Sequence, residues 1–121
     1  LKSAVINLNH NEEQKGKEIN KADLAASFQK VAVTSIVSKT KKALKDYNIN
    51  NLIVAGGVAA NSILREALSD MCKENNIHLS IPPLKYCTDN AAMIAAAGYY
   101  AYKLGRRADY HLNSLSTTPL Q

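Results

Sequence analysis

The stretch Ile53–Leu68, IVAGGVAANSILREAL, joins the end of a strand, a glycine turn and the start of a helix. The strand signal NLIVA, at 51–55, stops at Gly56-Gly57, and apolar residues at helical spacing follow it. Glycines at the end of a strand permit a tight turn, and they also let the backbone approach a ligand closely. The stretch therefore predicts a strand–turn–helix unit, in which the turn either only packs or also binds.

A second strand and three more helices are predicted around this unit. The helix after the turn runs from about residue 60 to residue 74, and IHLSIPP, at 77–83, is the second strand. A strand, a helix and a strand with short connections favour a parallel pair in an α/β domain. The other helices are expected at 1–8, at 21–47 with Asn20 as its cap, and at about 90–104 with Gly105 as its stop. His78 is expected to be partly buried in the second strand.

The long second helix carries both an apolar stripe and a basic end. The residues expected to face inward are Leu24, Phe28, Val31, Ser35 and Leu44, broadened by Ala25, Ala32 and Ile36. Four lysines lie toward its C-terminal end, at positions 39, 41, 42 and 45. They complement the negative end of the helix dipole, and the alternative is a contact with nucleic acid.

The chain is interpreted as one partial domain, 1–121, with an exposed connection at 9–19 and an irregular tail at 106–121. Two strands alone make a poor sheet, so the apolar strands need neighbours. The chain also begins with Leu1 rather than methionine. We therefore expect a piece of a longer protein, or one that associates with itself.

The composition is typical of a globular protein without a membrane-spanning segment. The chain has a formal charge of +5 and 46% hydrophobic residues, and it has no apolar run long enough to cross a membrane. A mildly basic balance is compatible with a polyanionic partner without requiring one. The cysteines, Cys72 and Cys87, form no CxxC pair and are expected to be reduced thiols in a cytoplasmic protein.

Two short motifs could belong to a binding or catalytic site. Asn61 follows the glycine turn and is expected in the first turn of the next helix, where its amide either reaches a ligand or faces solvent. In CTDN, Thr88 or Asp89 is a good cap for the alanine-rich helix that follows. The functional alternative makes Asp89 a metal ligand or a general base in a cleft opposite Gly56-Gly57. The three histidines are scattered, so this chain alone cannot build a multidentate metal site.

Taken together, VAGGVAANSILR and PPLKYCTDNAAMIAAAGYY closely resemble the C-terminal part of one family. It is the universal tRNA threonylcarbamoyladenosine transferase family, called TsaD in bacteria and formerly called O-sialoglycoprotein endopeptidase or glycoprotease. LKSAV and NKADLAASFQ resemble the preceding stretch of the same family. The resemblance implies the actin, Hsp70 and sugar-kinase (ASKHA) class of fold. It also implies transfer of a threonylcarbamoyl group from threonylcarbamoyl-adenylate to an adenosine of the tRNA anticodon loop.

The same resemblance assigns roles to particular residues. It implies that Asn61 contacts the adenylate beside Gly56 and Gly57, and that Asp89 is a carboxylate ligand of the active-site metal. The family's two metal-binding histidines have no counterpart in this chain. Two histidines and a carboxylate are typical of Fe(II), with Zn(II) or Mg(II) as alternatives. The resemblance further implies TsaB and TsaE as partners, and the chain alone is expected to be inactive.

Two other functions remain open at the level of sequence. The glycine turn could bind ATP in a sugar or acetate kinase of the same fold. The chain could also be an interaction module without catalytic activity. The peptidase name finds no support, because the chain has neither a nucleophile constellation nor a zinc-protease motif.

Overall fold

A computed structural model describes residues 1–114 of the chain. They form four α-helices and two short strands in the predicted order of helix, helix, strand, helix, strand, helix. The elements are α1 (Lys2–Gln14), α2 (Lys21–Asp46), β1 (Asn51–Ile53), α3 (Ser62–Glu74), β2 (His78–Ser80) and α4 (Ala91–Lys103). Within these residues, no helix is both long enough and apolar enough to span a membrane.

The two strands pair in parallel, as the strand–helix–strand pattern predicted. Leu52 lies opposite Leu79, and both side chains turn toward the core while their neighbours on each strand face out. His78 is exposed, so the expectation that it is partly buried was wrong. Side chains alternate along a strand, and with Leu79 inward His78 must face the other way. The parallel pair with its helices confirms the α/β class.

The core lies between α2, α3 and the inner face of the sheet. Its buried residues are Leu44, Leu64, Leu68, Met71 and Cys72, and six partly buried apolar residues pack around them. Burial raises the pKa of the Cys72 thiol, which therefore stays protonated at neutral pH and packs as a small apolar side chain. Cys72 and Cys87 are both free thiols, as the sequence predicted.

The inward face of α2 differs from the predicted stripe. Leu44 is buried as expected, but the other core contacts of α2 come from Val33 and Val37. The predicted inward residues Val31 and Ile36 are 54% and 42% exposed. The part of α2 from Val33 onward lies beside α3, and the side chains that meet α3 there define the buried face. An apolar stripe identifies a buried face only where a partner element covers it.

Earlier in α2, Leu24, Ala25 and Phe28 line an open groove with α1 instead of the core, and Phe28 is 41% exposed. Helix α1 is longer than predicted, so residues 9–14 are helical and the expected connection shrinks to 15–20. Side-chain pairs one helical turn apart, such as Asn9 with Glu13, support this extra turn. The expected connection at 9–19 is therefore wrong for residues 9–14, and the helix ends just before Gly16, where the backbone becomes left-handed.

The other three helices also end just before a residue with a left-handed backbone conformation, as α1 does. The residues just beyond α2, α3 and α4 have positive φ angles and are Asn48, Asn76 and Gly105. Gly105 is thus the stop of α4 that the sequence predicted. Residues 106–114 of the predicted tail form neither helix nor strand. The rest of that tail, 115–121, lies outside the described residues.

Candidate ligand cleft at the carboxyl edge of the sheet

A cleft of about 540 Å³ lies where the two parallel strands end. Parallel strands place their carboxyl ends at one edge of a sheet, which is where α/β proteins commonly bind ligands. One wall is the turn after β1, and the other is the loop after β2 with the start of α4. The lining residues are Ala55, Gly56, Gly57, Pro82, Tyr86, Cys87, Thr88, Asp89 and Met93. The volume is typical of small-molecule sites.

The glycine turn presents bare backbone to this cleft. Gly56 has φ 91° and ψ 172°, a conformation that is essentially restricted to glycine. A 3-10 turn, Gly57–Ala60, follows it, and the Ala59 N–H donates to the Gly56 carbonyl at 3.0 Å. A Cβ atom at either glycine would have no heavy atom within 4 Å. The space in front of both residues is therefore open to an incoming group.

Substituting the two glycines separately tests whether the turn is conformationally restricted. We expect Gly56→Ala to lower the free energy of unfolding by about 1–3 kcal/mol, because its positive φ strains a side-chain-bearing residue. Gly57 has no positive φ, so Gly57→Ala should change stability by no more than about 1 kcal/mol. Urea unfolding followed by circular dichroism measures both. Equal losses of unfolding free energy for the two variants would show that the positive φ of Gly56 does not restrict which residue can occupy that position.

Asp89 lies on the opposite wall of the same cleft, as an exposed side chain. The expectation that Thr88 or Asp89 caps α4 was wrong, because Asn90 is the cap. The Asn90 Oδ1 accepts a hydrogen bond from the Met93 N–H at 3.0 Å, and Asn90 has an extended backbone. Helix α4 begins at Ala91, one residue later than expected, so the carboxylate of Asp89 is not occupied by capping. It forms no ion pair with any of residues 1–114.

Asn61 lies outside the cleft lining. It was expected in the first turn of α3, but residues 57–60 form the 3-10 turn and Asn61 becomes the cap of a helix that begins at Ser62. Its Oδ1 accepts from the Leu64 N–H at 2.9 Å. The Asn61 amide nitrogen forms no hydrogen bond within the described part of the chain. The structure therefore brings Gly56, Gly57 and Asp89 together and leaves Asn61 at the far end of the turn.

Sequence reasoning missed Arg65, which does not line the cleft but hydrogen-bonds to both segments that enclose it. Its guanidinium donates to the Ala59 carbonyl at 2.9 Å and to the Pro82 carbonyl at 3.0 Å. The buried Cys87 Sγ lies 3.7 Å from the same guanidinium. One signal was present in the sequence, since a cation in the first turns of a helix opposes the helix dipole and needs another partner.

Residues 1–114 do not by themselves form a metal site. Residues 1–114 hold no group of three histidine, cysteine, aspartate or glutamate side chains placed to bind one ion. Asp89 fits the role of a single ligand, because it lines the cleft and its carboxylate is not paired with a cation within the described range.

The chain is similar to proteins of one family, and the matched residues include those of the cleft. The family model for TsaD, tRNA N6-adenosine threonylcarbamoyltransferase, matches residues 1–96, a range that includes both walls of the cleft. A protein of that name from Staphylococcus saprophyticus is 60% identical over 113 residues, which are 93% of this chain and 33% of the relative. Relatives of the same name from Staphylococcus epidermidis and Staphylococcus carnosus are 54% and 52% identical over the whole chain, which covers 36% and 35% of them.

The chain thus spans about a third of the length of the curated relatives that it matches. The range matched by the family model extends from α1 through both cleft walls to the first part of α4. The chain belongs to the tRNA N6-adenosine threonylcarbamoyltransferase family, TsaD.

Proposed function

We propose that this chain is the C-terminal third of a cytoplasmic enzyme that transfers a threonylcarbamoyl group from threonylcarbamoyl-adenylate to an adenosine of the tRNA anticodon loop. One observation carries the proposal: the glycine turn and Asp89 line the same cleft at the carboxyl edge of the sheet. The names of the relatives support the class of reaction and tRNA as the acceptor.

In this proposal the glycine turn holds the adenylate. Gly56 and Gly57 leave room for the ligand to approach the backbone, because no side chain occupies the space before them. Tyr86 and Met93 offer apolar surface on the opposite wall. Asn61 lies outside the lining of this cleft, so it would contact the adenylate where the ligand extends beyond Gly57 along the turn. The contact would be made by its amide nitrogen, since its amide oxygen caps α3.

Asp89 would hold a divalent metal ion, and Fe(II) is preferred over Zn(II) or Mg(II) because the family's other ligands are histidines. When bound, such an ion supplies charge neutralisation for the donor and polarisation of its carbonyl. The contribution of this chain is one negatively charged oxygen ligand on a wall that is fixed by the Asn90 cap of α4. The remaining ligands would come from outside the described residues.

The exposed apolar residues near the cleft support an incomplete domain. Ile53, Val58 and Ile94 are 79%, 68% and 69% exposed, and they belong to β1, the 3-10 turn and α4. A further part of an ASKHA fold would cover such residues and complete the cleft. We therefore propose that the chain alone has no transferase activity, with TsaB and TsaE as partners of the complete protein and self-association as another way to cover these residues.

A transfer assay tests the proposal. The full-length protein and the isolated chain 1–121 are each incubated with threonylcarbamoyl-adenylate labelled in the threonine and with unmodified tRNA, with and without TsaB and TsaE. We expect labelled tRNA only with the full-length protein, and loss of labelling when a chelator removes the metal. Transfer by the isolated chain would contradict the proposal of an incomplete site. Phosphorylation of a sugar or of acetate by the full-length protein from ATP, without transfer to tRNA, would favour a kinase.

A further inference from the structure

The Arg65 side chain connects the two segments that enclose the cleft. Its Nη1 donates to the carbonyl of Ala59, in the 3-10 turn that begins at Gly57. Its Nη2 donates to the carbonyl of Pro82, which lines the cleft in the loop leading to Asp89. Among residues 1–114, Arg65 is the side chain whose hydrogen bonds reach both segments.

The placement of Arg65 is explained by these two bonds rather than by its own helix. Arg65 lies near the N-terminus of α3, where the helix dipole disfavours a positive charge. No carboxylate within the described range pairs with it. Both partners are main-chain carbonyls, and a guanidinium is planar, so its two nitrogens hold the two carbonyl oxygens at a fixed separation.

We propose that Arg65 is a positioning residue that sets the separation between the Gly56-Gly57 turn and the Asp89 loop. The expected effect of Arg65 on catalysis rests on the proposed function, whereas its effect on the separation of the two segments does not. Arg65 does not line the cleft, so it acts on a ligand only through the two walls. Reaction rates respond steeply to misplacement of the groups that hold the reactants, and a shift of about 1 Å costs on the order of 100-fold.

The test compares Arg65→Met and Arg65→Lys in the full-length protein with Arg106→Met as the matched control. Arg106 is exposed beyond α4 and carries the same charge. All variants are assayed well below their unfolding temperatures, with saturating donor and a series of tRNA concentrations. We expect Arg65→Met to lower kcat by about 10–100-fold with little change in KM for tRNA. Arg65→Lys, which keeps a cationic donor, should recover part of that loss, and Arg106→Met should match the wild type.

Hydrogen exchange gives a readout that does not depend on activity. The Ala59 N–H is bonded within the glycine turn, and the Cys87 N–H within the loop. We expect Arg65→Met to accelerate exchange of both amides by at least about 10-fold while the amide of Leu68 in the core exchanges as before. If Arg65→Met fails to fold, Arg65→Lys is compared with the wild type in the same way.

The outcomes separate this inference from the proposed function. Wild-type kcat and unchanged exchange in Arg65→Met would overturn the inference and leave the function standing. A parallel fall in kcat, thermal stability and protection of Leu68 would also overturn it, because that pattern indicates a general structural role. If the wild-type protein transfers nothing to tRNA, the proposed function fails, and the exchange measurement alone decides whether Arg65 joins the two walls.

Discussion

Asp89→Ala in the full-length protein is expected to lower the rate of transfer to tRNA by more than about 100-fold, together with loss of bound metal. The reason is that, among residues 1–114, Asp89 is the one carboxylate that lines the cleft opposite the glycine turn. Its side chain is exposed and does not cap α4, so its removal should leave the fold and its stability unchanged. Metal content by mass spectrometry of the purified protein and the tRNA transfer assay measure the two effects.

Asp70→Ala is the matched control for this variant. Asp70 is also an exposed aspartate, it lies on α3 away from the cleft, and its contact with Lys73 at 4.0 Å is weak. It should keep the metal and the wild-type rate. Retention of both metal and activity by Asp89→Ala would show that the carboxylate has been assigned the wrong role.

Leu68→Ala is expected to lower the free energy of unfolding by about 3 kcal/mol, within a range of roughly 2–5 kcal/mol for leucine in a packed core. Leu68 is 2% exposed and lies in the buried cluster between α2, α3 and the sheet. Removing its side chain beyond Cβ leaves a cavity that the neighbouring helix and strands cannot fully close. Urea unfolding followed by circular dichroism gives the difference from the wild type.

Ile63→Ala provides the comparison on the same helix. Ile63 is 47% exposed, so its truncation should cost no more than about 1 kcal/mol. An equal loss of stability at Ile63 and Leu68 would mean that the core does not lie where the structure places it.

The region around the glycine turn could be predicted from the sequence because several local signals agree there. Apolar residues before Gly56 and an amphipathic pattern after it predict β1 and α3. The expected apolar face of α3 is Ile63, Leu64, Ala67, Leu68 and Met71, of which Leu64, Leu68 and Met71 are buried. Ile63 is exposed instead, and Cys72 is buried although it was not expected. The N-terminal part of α2 was predicted less well. Its apolar residues could form more than one stripe, and the choice depends on how far α3 extends beside it.

The candidate site, like the fold, could be predicted only in part from the sequence. The arrangement of Asp89 opposite Gly56-Gly57 could be proposed because both motifs follow strands that end at one edge of the sheet. The cap of α4 was misassigned because Thr88, Asp89 and Asn90 are all good capping residues, and only the backbone shows where the helix begins. The position of Arg65 near the N-terminus of α3 indicates that it needs a partner, but the sequence does not identify the main-chain carbonyls to which it donates.

The central claim is that the glycine turn and Asp89 form one donor site. A crystal structure of the full-length protein with a non-reactive threonylcarbamoyl-adenylate analogue and its metal tests this claim most directly. We expect the adenylate to lie against the backbone of Gly56 and Gly57 and a carboxylate oxygen of Asp89 to ligate the metal. An analogue bound elsewhere, with Asp89 facing solvent and no metal beside it, would show that the turn and Asp89 do not form one donor site.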